Sequence, residues 1–339
     1  MRYKQFYGLK LSEIGIGTYL GASDDNTDFL YEETILAGIN KGITVIDTAI
    51  NYRKMRSEQV IGKVLKKLDR KEVVLSTKGG YITPPPKIEK DPTQWFKEEL
   101  VEKGIVQISD ITETGNILTT KYISWSFERS LKNLNTDYID IYFLHNPEDQ
   151  LTKFSKDIFY NKLEEVFLFL EKKVNEGKLK FYGLATWNGF RVDRNHTQFL
   201  DLVEIFRIAE KAGGNNHHFR FIQLPYNLAM LEGFLLKNQL IDGEKLSTFE
   251  AAEKLGIYTY ISAPLMQGRL LRPVSEEVIH RFKVKKTSHV PLQFVRSTPG
   301  VGTVLIGMSK KEHLLENLEI EEVPPLSSEE INQIISSKG

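Results

Sequence analysis

Short runs of β-branched and aromatic residues alternate along the chain with longer stretches in which apolar residues recur at helical spacing. One apolar run ends at Asp47, and the stretch over 57–69 that follows places Val60, Ile61 and Val64 on one face of a helix. Short apolar runs followed by amphipathic segments are typical of βα units around a parallel sheet. The chain contains eight such units, which predicts an α/β fold of the closed (β/α)8 TIM barrel type.

The predicted elements follow the chain in order. Residues 1–13 predict a small polar hairpin that turns near Tyr7-Gly8. Strands are predicted at 14–18, at the runs ending at 47 and 78, and at 138–144, 180–184, 219–224, 257–261 and 304–306. Helices are predicted at 28–41, 57–69, 119–134, 163–176, 199–212, 248–255 and 310–318.

Residues 81–118 interrupt this alternation. The run Thr83-Pro84-Pro85-Pro86 excludes regular helix and central strand, while a short helix at 95–103 and a strand at 105–108 are predicted beyond it. We interpret 81–118 as an insertion after the third barrel strand, on the face where loops set substrate choice. A surface elaboration without a role is the alternative. No linker divides the chain, so residues 1–339 are predicted to form one barrel domain.

Composition narrows the function classes. Lys and Arg together number 45, as do Asp and Glu, which argues against broad electrostatic attraction to nucleic acid or an anionic membrane. The absence of cysteine excludes disulfides and cysteine-ligated metals. No apolar run approaches the roughly 18–20 residues of a membrane span. Adjacent His217 and His218 point in different directions without an acidic partner at ligand spacing, so no metal site is predicted. We expect a soluble, cytoplasmic protein.

Four residues that can carry chemistry lie at or just beyond the ends of three successive predicted strands: Asp47, Tyr52, Lys78 and His145. A phenol is a weak acid, but a nearby lysine held by a carboxylate can make it a general acid. Each residue also has an ordinary explanation. Asp47 could be a helix cap, Tyr52 a half-buried aromatic, Lys78 a solvated surface cation and His145 a core histidine. Their joint position at strand ends favours catalysis, because barrel enzymes collect their chemistry there.

Ordered motifs extend this pattern over nearly the whole chain outside 81–118. They are Gly15-Ile16-Gly17-Thr18, Asp47-Thr48-Ala49 with Tyr52 and Ser57-Glu58, Ser76-Thr77-Lys78, Asp137-Tyr138-Ile139-Asp140, His145-Asn146-Pro147, Gly177-Lys178, Gln223 with Tyr226-Asn227, Pro264-Leu265 with Gly268, and Gly307 with Glu316-Asn317. With these motifs in this order, the chain resembles the aldo-keto reductases, which are nicotinamide-dependent oxidoreductases built on a (β/α)8 barrel.

The resemblance implies a mechanism. Tyr52 would donate a proton to a carbonyl oxygen as hydride arrives from nicotinamide, Lys78 would lower the pKa of Tyr52, Asp47 would pair with Lys78, and His145 would orient and polarise the carbonyl. The implied function is NAD(P)H-dependent reduction of an aldehyde or ketone to an alcohol, with a small carbonyl or alcohol as substrate. A nucleotide-binding regulatory or interaction subunit on the same barrel is the alternative. Neither the substrate nor the oligomeric state follows from the sequence.

The resemblance also implies an extended NADP(H) across the barrel top, with NAD(H) as the alternative. The implied contacts are Gly17, Thr18, Tyr19, Asp47, Thr186, Asn188, Gln223, Tyr226, Leu265, Gln267, Gly268, Gly307, Ser309, Lys310, His313, Glu316 and Asn317. Among these, Gln223 matches the glutamine that binds the carboxamide, and the 265–268 segment would wrap the pyrophosphate. Ser309 and Lys310 favour NADP(H) because they are placed to bind a ribose 2′-phosphate.

Three departures from the family pattern concern the nicotinamide end of the site. Ala185-Thr186 replaces the usual Ser-Asn pair, so Thr186 with Asn188 is expected to hold the carboxamide. Ser262 stands where an aromatic residue usually stacks on the nicotinamide, and Tyr226 is the predicted substitute. Two extra residues lie between Tyr52 and Ser57. Tyr19, Trp95, Trp125 and Trp187 are candidates for an apolar pocket, with core packing as the alternative.

Overall fold

An antiparallel hairpin precedes the barrel in the computed structural model, which describes residues 1–336. Strands β1 (Tyr3–Phe6) and β2 (Leu9–Ser12) pair around Tyr7 and Gly8, both with positive φ. The ring of Phe6 packs on Phe221 and Tyr258, at centroid distances of 5.4 and 5.2 Å. The hairpin therefore closes the end of the barrel at which the strands begin.

Eight parallel strands form the closed barrel. They are β3 (Ile14–Gly17), β4 (Val45–Asp47), β5 (Val74–Gly79), β6 (Ile139–His145), β7 (Leu179–Ala185), β8 (Phe219–Pro225), β11 (Tyr258–Ser262) and β12 (Thr303–Gly307), while β9 (Gln239–Ile241) and β10 (Glu244–Leu246) form a separate hairpin. Pairing of β12 with β3 completes the ring. The predicted (β/α)8 barrel with an N-terminal hairpin is confirmed.

Helices follow the strands around the outside of the barrel. They are α1 (Asp25–Asn40), α2 (Arg56–Leu65), α3 (Pro92–Phe96), α4 (Thr120–Leu134), α5 (Lys156–Asn175), α6 (Leu202–Gly213), α7 (Glu232–Leu235), α8 (Thr248–Lys254), α9 (Glu276–Arg281), α10 (His289–Ser297), α11 (Lys311–Leu318) and α12 (Ser328–Ser336). Short 3₁₀ segments lie at Arg70–Glu72, Ile108–Asp110, Pro147–Thr152, Gly214–Asn216, Met266–Gly268 and Glu319–Glu322, and a π turn at Lys97–Val101. No helix within residues 1–336 has the length and apolar character needed to cross a membrane.

Alternation along the strands produces two apolar layers. In β6, Ile141 and Phe143 belong to the cluster inside the barrel, whereas Tyr142 and Leu144 pack outward against the helices. The β7–β8 pair shifts register between Tyr182 and Gly183. A Cβ on Gly183 would lie 2.0 Å from the carbonyl oxygen of Phe221, so only glycine fits this close approach.

Several predicted boundaries are wrong. The insertion contains no strand at 105–108, and its one bridge joins Tyr81 to Asn116. Its helix starts at Pro92 because Asp91 caps the backbone N–H groups of Thr93 and Gln94. Helix α5 starts at Lys156 rather than at 163, after the cap residue Ser155. The β9–β10 hairpin and helices α7, α9, α10 and α12 were not predicted.

Candidate active site

The four candidate catalytic residues meet at one rim of the barrel. Asp47 ends β4, Lys78 lies one residue before the end of β5, and His145 ends β6. Tyr52 lies in the turn after β4, where its backbone N–H donates to the Ala49 carbonyl at 3.0 Å. Because the carboxyl ends of parallel strands share a rim, the side chains converge on a cavity of about 680 Å³, which Asp47, Tyr52 and His145 line.

A buried ion pair lies beneath the Tyr52 hydroxyl. The ammonium of Lys78 donates to Asp47 Oδ2 at 2.6 Å and to the Thr48 carbonyl at 2.8 Å, and its Nζ lies 3.2 Å from the Tyr52 hydroxyl oxygen. The lysine side chain is fully buried. The other oxygen of Asp47 accepts from the Ser76 hydroxyl at 2.6 Å and from Gln223 Nε2 at 3.1 Å. Each charge is therefore compensated by protein groups.

Burial and charge set the protonation states. Burial raises the pKa of Tyr52, and although the Lys78 ammonium opposes that rise, the pKa stays above its ordinary value. Burial lowers the pKa of Lys78, but Asp47 and Tyr52 more than offset this, so that pKa is also raised. Burial, and then Lys78, lower the pKa of His145 well below its ordinary value. At neutral pH the site therefore combines a protonated phenol, an ammonium and a neutral imidazole.

The insertion supports His145 from outside the cavity. Asn116 Nδ2 donates to the His145 carbonyl at 2.8 Å, and the Tyr81 ring packs edge-on against the His145 ring at 5.1 Å. The Nδ1 atom of His145 is buried and has no hydrogen-bond partner among the described residues. No residue of 81–118, a segment that the structure describes throughout, lines the cavity. The insertion therefore positions a candidate catalytic residue instead of forming the cavity wall.

The turn that carries Tyr52 continues in an unusual backbone conformation. Arg53, Lys54 and Met55 have φ values of 50°, 55° and 67°, the left-handed region that side chains other than glycine rarely adopt. The guanidinium of Arg53 donates to Asp28 at 2.5 Å, and Arg56 Nε donates to the same carboxylate at 3.0 Å. The longer loop after Tyr52 is therefore fastened to helix α1 by a buried Arg–Asp–Arg cluster.

Most of the predicted cofactor contacts do line the cavity. They are Gly17, Thr18, Tyr19, Asp47, Thr186, Gln223, Leu265, Gln267, Gly268, Gly307, His313, Glu316 and Asn317. The cavity extends from Tyr52 and His145 to α11, which carries the last three. Ser309 and Lys310 lie at the entrance of α11 but outside the lining, and Lys310 is exposed.

Two predicted contacts lie away from the cavity. Tyr226 is fully buried, its ring stacks on Phe294 at 5.5 Å, and its hydroxyl lies 3.1 Å from Thr298 Oγ1. The ring therefore points into the packing between barrel and helices and does not line the cavity. Asn188 is also absent from the lining, and its side-chain amide donates to Gln198 at 2.9 Å.

Several lining residues were not predicted as contacts. They include Leu20, Asn51, Asn146, Trp187, Leu271 and Ser288. Ser288 donates to Glu316 Oε1 at 2.6 Å. It precedes α10, a helix that was not predicted, so no sequence signal pointed to it. Of the four aromatic pocket candidates, Tyr19 and Trp187 line the cavity, whereas Trp95 and Trp125 pack on each other at 6.3 Å.

Comparison with known proteins identifies the class. Residues 13–338 match the model of the Aldo/keto reductase family, and the chain therefore belongs to that family. It is 23% identical over 329 residues to an uncharacterized oxidoreductase, YqkF, of Bacillus subtilis, covering 97% of this chain and 93% of that protein. It is 24% identical over 355 residues to a Schizosaccharomyces pombe protein that carries the name of a voltage-gated potassium channel subunit beta, covering 97% and 91%.

Solved structures show the same fold. An aldo/keto reductase from Klebsiella pneumoniae, crystallised with NADP and acetate, superposes with a TM-score of 0.65 at 23% identity, covering 98% of this chain and 93% of that one. An aldo-keto reductase from Bacillus halodurans in its holo form gives a TM-score of 0.65 at 21% identity, covering 99% and 95%.

Proposed function

We propose that the protein is an NADP(H)-dependent oxidoreductase that reduces an aldehyde or ketone to an alcohol, with Tyr52 as the proton donor. The observation that carries the proposal is the Lys78 ammonium, which lies 3.2 Å from the Tyr52 hydroxyl and is held by Asp47 at 2.6 Å. Family membership supports the oxidoreductase class.

Each residue has a defined task in this proposal. Tyr52 donates its proton to the carbonyl oxygen, and Lys78 stabilises the phenolate that remains. Asp47 keeps the buried Lys78 charged. The neutral imidazole of His145 orients the carbonyl by a hydrogen bond to its oxygen. NADPH, when bound, supplies the hydride.

The cavity fits an extended dinucleotide. Its lining includes Tyr52 and Gln223, residues of the 264–268 segment, and Glu316 and Asn317 on α11. Ala185, the register partner of Gln223, and Ser262 contribute small side chains to the lining. The NADP and NADPH complexes of the Klebsiella pneumoniae structures support NADP(H) as the cofactor. Lys310, at the entrance of α11, is the residue proposed to bind the 2′-phosphate.

The test compares turnover with nucleotide binding in Tyr52→Phe. Loss of the hydroxyl is expected to lower kcat/KM for a carbonyl panel by about 10²–10⁴-fold, the usual contribution of a general acid, while the Kd for NADPH stays unchanged. Tyr138→Phe is the matched control, because Tyr138 lies before β6 at the opposite rim. Unchanged turnover in Tyr52→Phe would contradict the proposed mechanism.

A nucleotide-binding interaction subunit is the second candidate. The observation in its favour is the similarity to the Schizosaccharomyces pombe protein named as a channel subunit. A stoichiometric protein partner in a pull-down, together with negligible wild-type turnover on every carbonyl tested, would support this candidate over the first.

A further inference from the structure

Glu148 is a buried carboxylate that the proposed chemistry does not use. It lies in the 3₁₀ turn Pro147–Thr152, three residues after His145, and is 1% exposed. Its Oε1 accepts the backbone N–H groups of Trp187 at 2.7 Å, Asn188 at 2.9 Å and Gly189 at 3.2 Å. One carboxylate oxygen therefore gathers three consecutive amides of the loop after β7.

Burial and the backbone N–H groups have opposite effects on the Glu148 carboxyl group. Burial raises the pKa of Glu148 to about 7, and the N–H groups of Glu148 itself, Trp187, Asn188 and Gly189 oppose that rise. The second oxygen, Oε2, is buried and has no hydrogen-bond partner in the part of the chain that the structure describes. The carboxyl group is therefore held by backbone N–H groups, three of which belong to the loop after β7.

The loop that Glu148 holds forms part of the cavity wall. Thr186 and Trp187 line the cavity, and the Thr186 N–H donates to the Gln223 carbonyl at 2.8 Å. A second connection joins the same two segments, because Gln198 Nε2 donates to Asp149 at 3.0 Å while Gln198 Oε1 accepts from Asn188. The segment that follows the candidate catalytic His145 is thus fastened to the loop proposed to hold the carboxamide.

We propose that Glu148 is a positioning residue that fixes the backbone of residues 187–189, presents Thr186 and Trp187 at the cavity, and thereby sets the affinity for the nicotinamide nucleotide. The inference rests on the proposed function only in taking NADPH as the ligand of the cavity. A purely structural role for Glu148 would change stability without changing nucleotide affinity.

The experiment measures NADPH binding by calorimetry in Glu148→Ala and Glu148→Gln. Removal of the acceptor leaves three amides unpaired and is expected to raise the Kd about tenfold, which corresponds to about 1.4 kcal/mol of binding free energy. Under saturating NADPH, kcat is expected to change by less than about threefold, because the proton donor is untouched. Glu148→Gln keeps an acceptor oxygen and is expected to restore the Kd to within about threefold of wild type.

The matched control is Glu171→Ala. Glu171 is also a buried carboxylate, and it accepts the Tyr182 hydroxyl at 2.8 Å and the His218 N–H at 2.7 Å at the end of the barrel where β8 begins. This variant is expected to lower the melting temperature without changing the Kd for NADPH. Three results would each overturn the inference. The first is an equal effect of the two alanine variants on the Kd, and the second is a Kd of Glu148→Ala within about twofold of wild type. The third is an equal rise of the Kd in Glu148→Gln and Glu148→Ala.

Hydrogen exchange of the wild-type protein tests the same contact without a variant. The amides of Trp187, Asn188 and Gly189 are expected to exchange at least about 100-fold more slowly than unprotected amides. Unprotected exchange at all three would overturn the inference even if Glu148→Ala fails to fold. Binding and exchange need no turnover, so a wild-type protein that binds NADPH but reduces no carbonyl would contradict the proposed function alone.

Discussion

The Lys78–Asp47 pair is expected to be strongly coupled, and a double-mutant cycle measures that coupling. In Lys78→Met the Asp47 carboxylate stays buried, with the Ser76 hydroxyl and Gln223 Nε2 as its donors among the described residues. In Asp47→Asn the ammonium stays buried beside the Thr48 carbonyl and Tyr52. Breaking a buried pair from either side costs about 3–5 kcal/mol, because an uncompensated charge remains.

The double variant Lys78→Met/Asp47→Asn removes both charges. Because no buried charge remains, its loss of stability is expected to be smaller than the sum of the two single losses by at least about 2 kcal/mol. Urea unfolding followed by circular dichroism gives the four free energies of unfolding, and unchanged m-values confirm that the same transition is compared.

An exposed pair is the control for this cycle. Lys67 Nζ lies 2.6 Å from Glu32 Oε1, but the lysine is 54% exposed, so Lys67→Met is expected to change the free energy of unfolding by less than about 1 kcal/mol. If the double variant of Lys78 and Asp47 loses the sum of the single losses to within about 0.5 kcal/mol, the two groups are independent and the reasoning fails.

Three further outcomes are expected. Gly183→Ala should lower the free energy of unfolding by about 3 kcal/mol in urea titrations, because its Cβ would lie 2.0 Å from the Phe221 carbonyl oxygen. Tyr226→Phe should leave the calorimetric Kd for NADPH unchanged and lose about 1 kcal/mol of stability, because its hydroxyl contacts the buried Thr298 and does not face the cavity. The pKa of Lys78 is raised in the folded protein, so its charge stabilises the fold fully below pH 10.5 and progressively less as the pH rises through the folded-state pKa. The difference in free energy of unfolding between wild type and Lys78→Met should therefore narrow above pH 10.5. A weakened NADPH affinity in Tyr226→Phe, or a stability difference that widens with alkaline pH, would contradict the corresponding reasoning.

The barrel could be predicted because its pattern is local. Each strand is a short apolar run and most long helices have an apolar face, so the order of units could be derived from sequence alone. Helix α10 was not predicted because it lacks the exposed polar face that is typical of a surface helix. All its residues are buried, including the polar Gln293 and Arg296. Arg296 is neutralised by Glu13 at 2.9 Å, a contact across 283 residues that no local pattern reveals.

The candidate site was predictable to the extent that strand ends specify it. Asp47, Lys78 and His145 follow from where the apolar runs stop, and the parallel barrel brings them together. Side-chain direction beyond a strand end does not follow from the sequence. Tyr226 comes directly after β8, yet its ring turns toward Phe294 and away from the cavity. The role of 81–118 depends on Asn116 reaching the His145 carbonyl, which is a long-range contact.

The three tryptophans of this chain differ in their relation to the cavity, and this gives the protein an intrinsic optical probe. Trp187 is 44% exposed at the cavity wall, whereas Trp95 and Trp125 pack on each other away from the lining. A nucleotide that enters the cavity is therefore expected to approach Trp187 and to contact neither of the other two indoles. A change in the emission of Trp187 is therefore expected to accompany nucleotide binding.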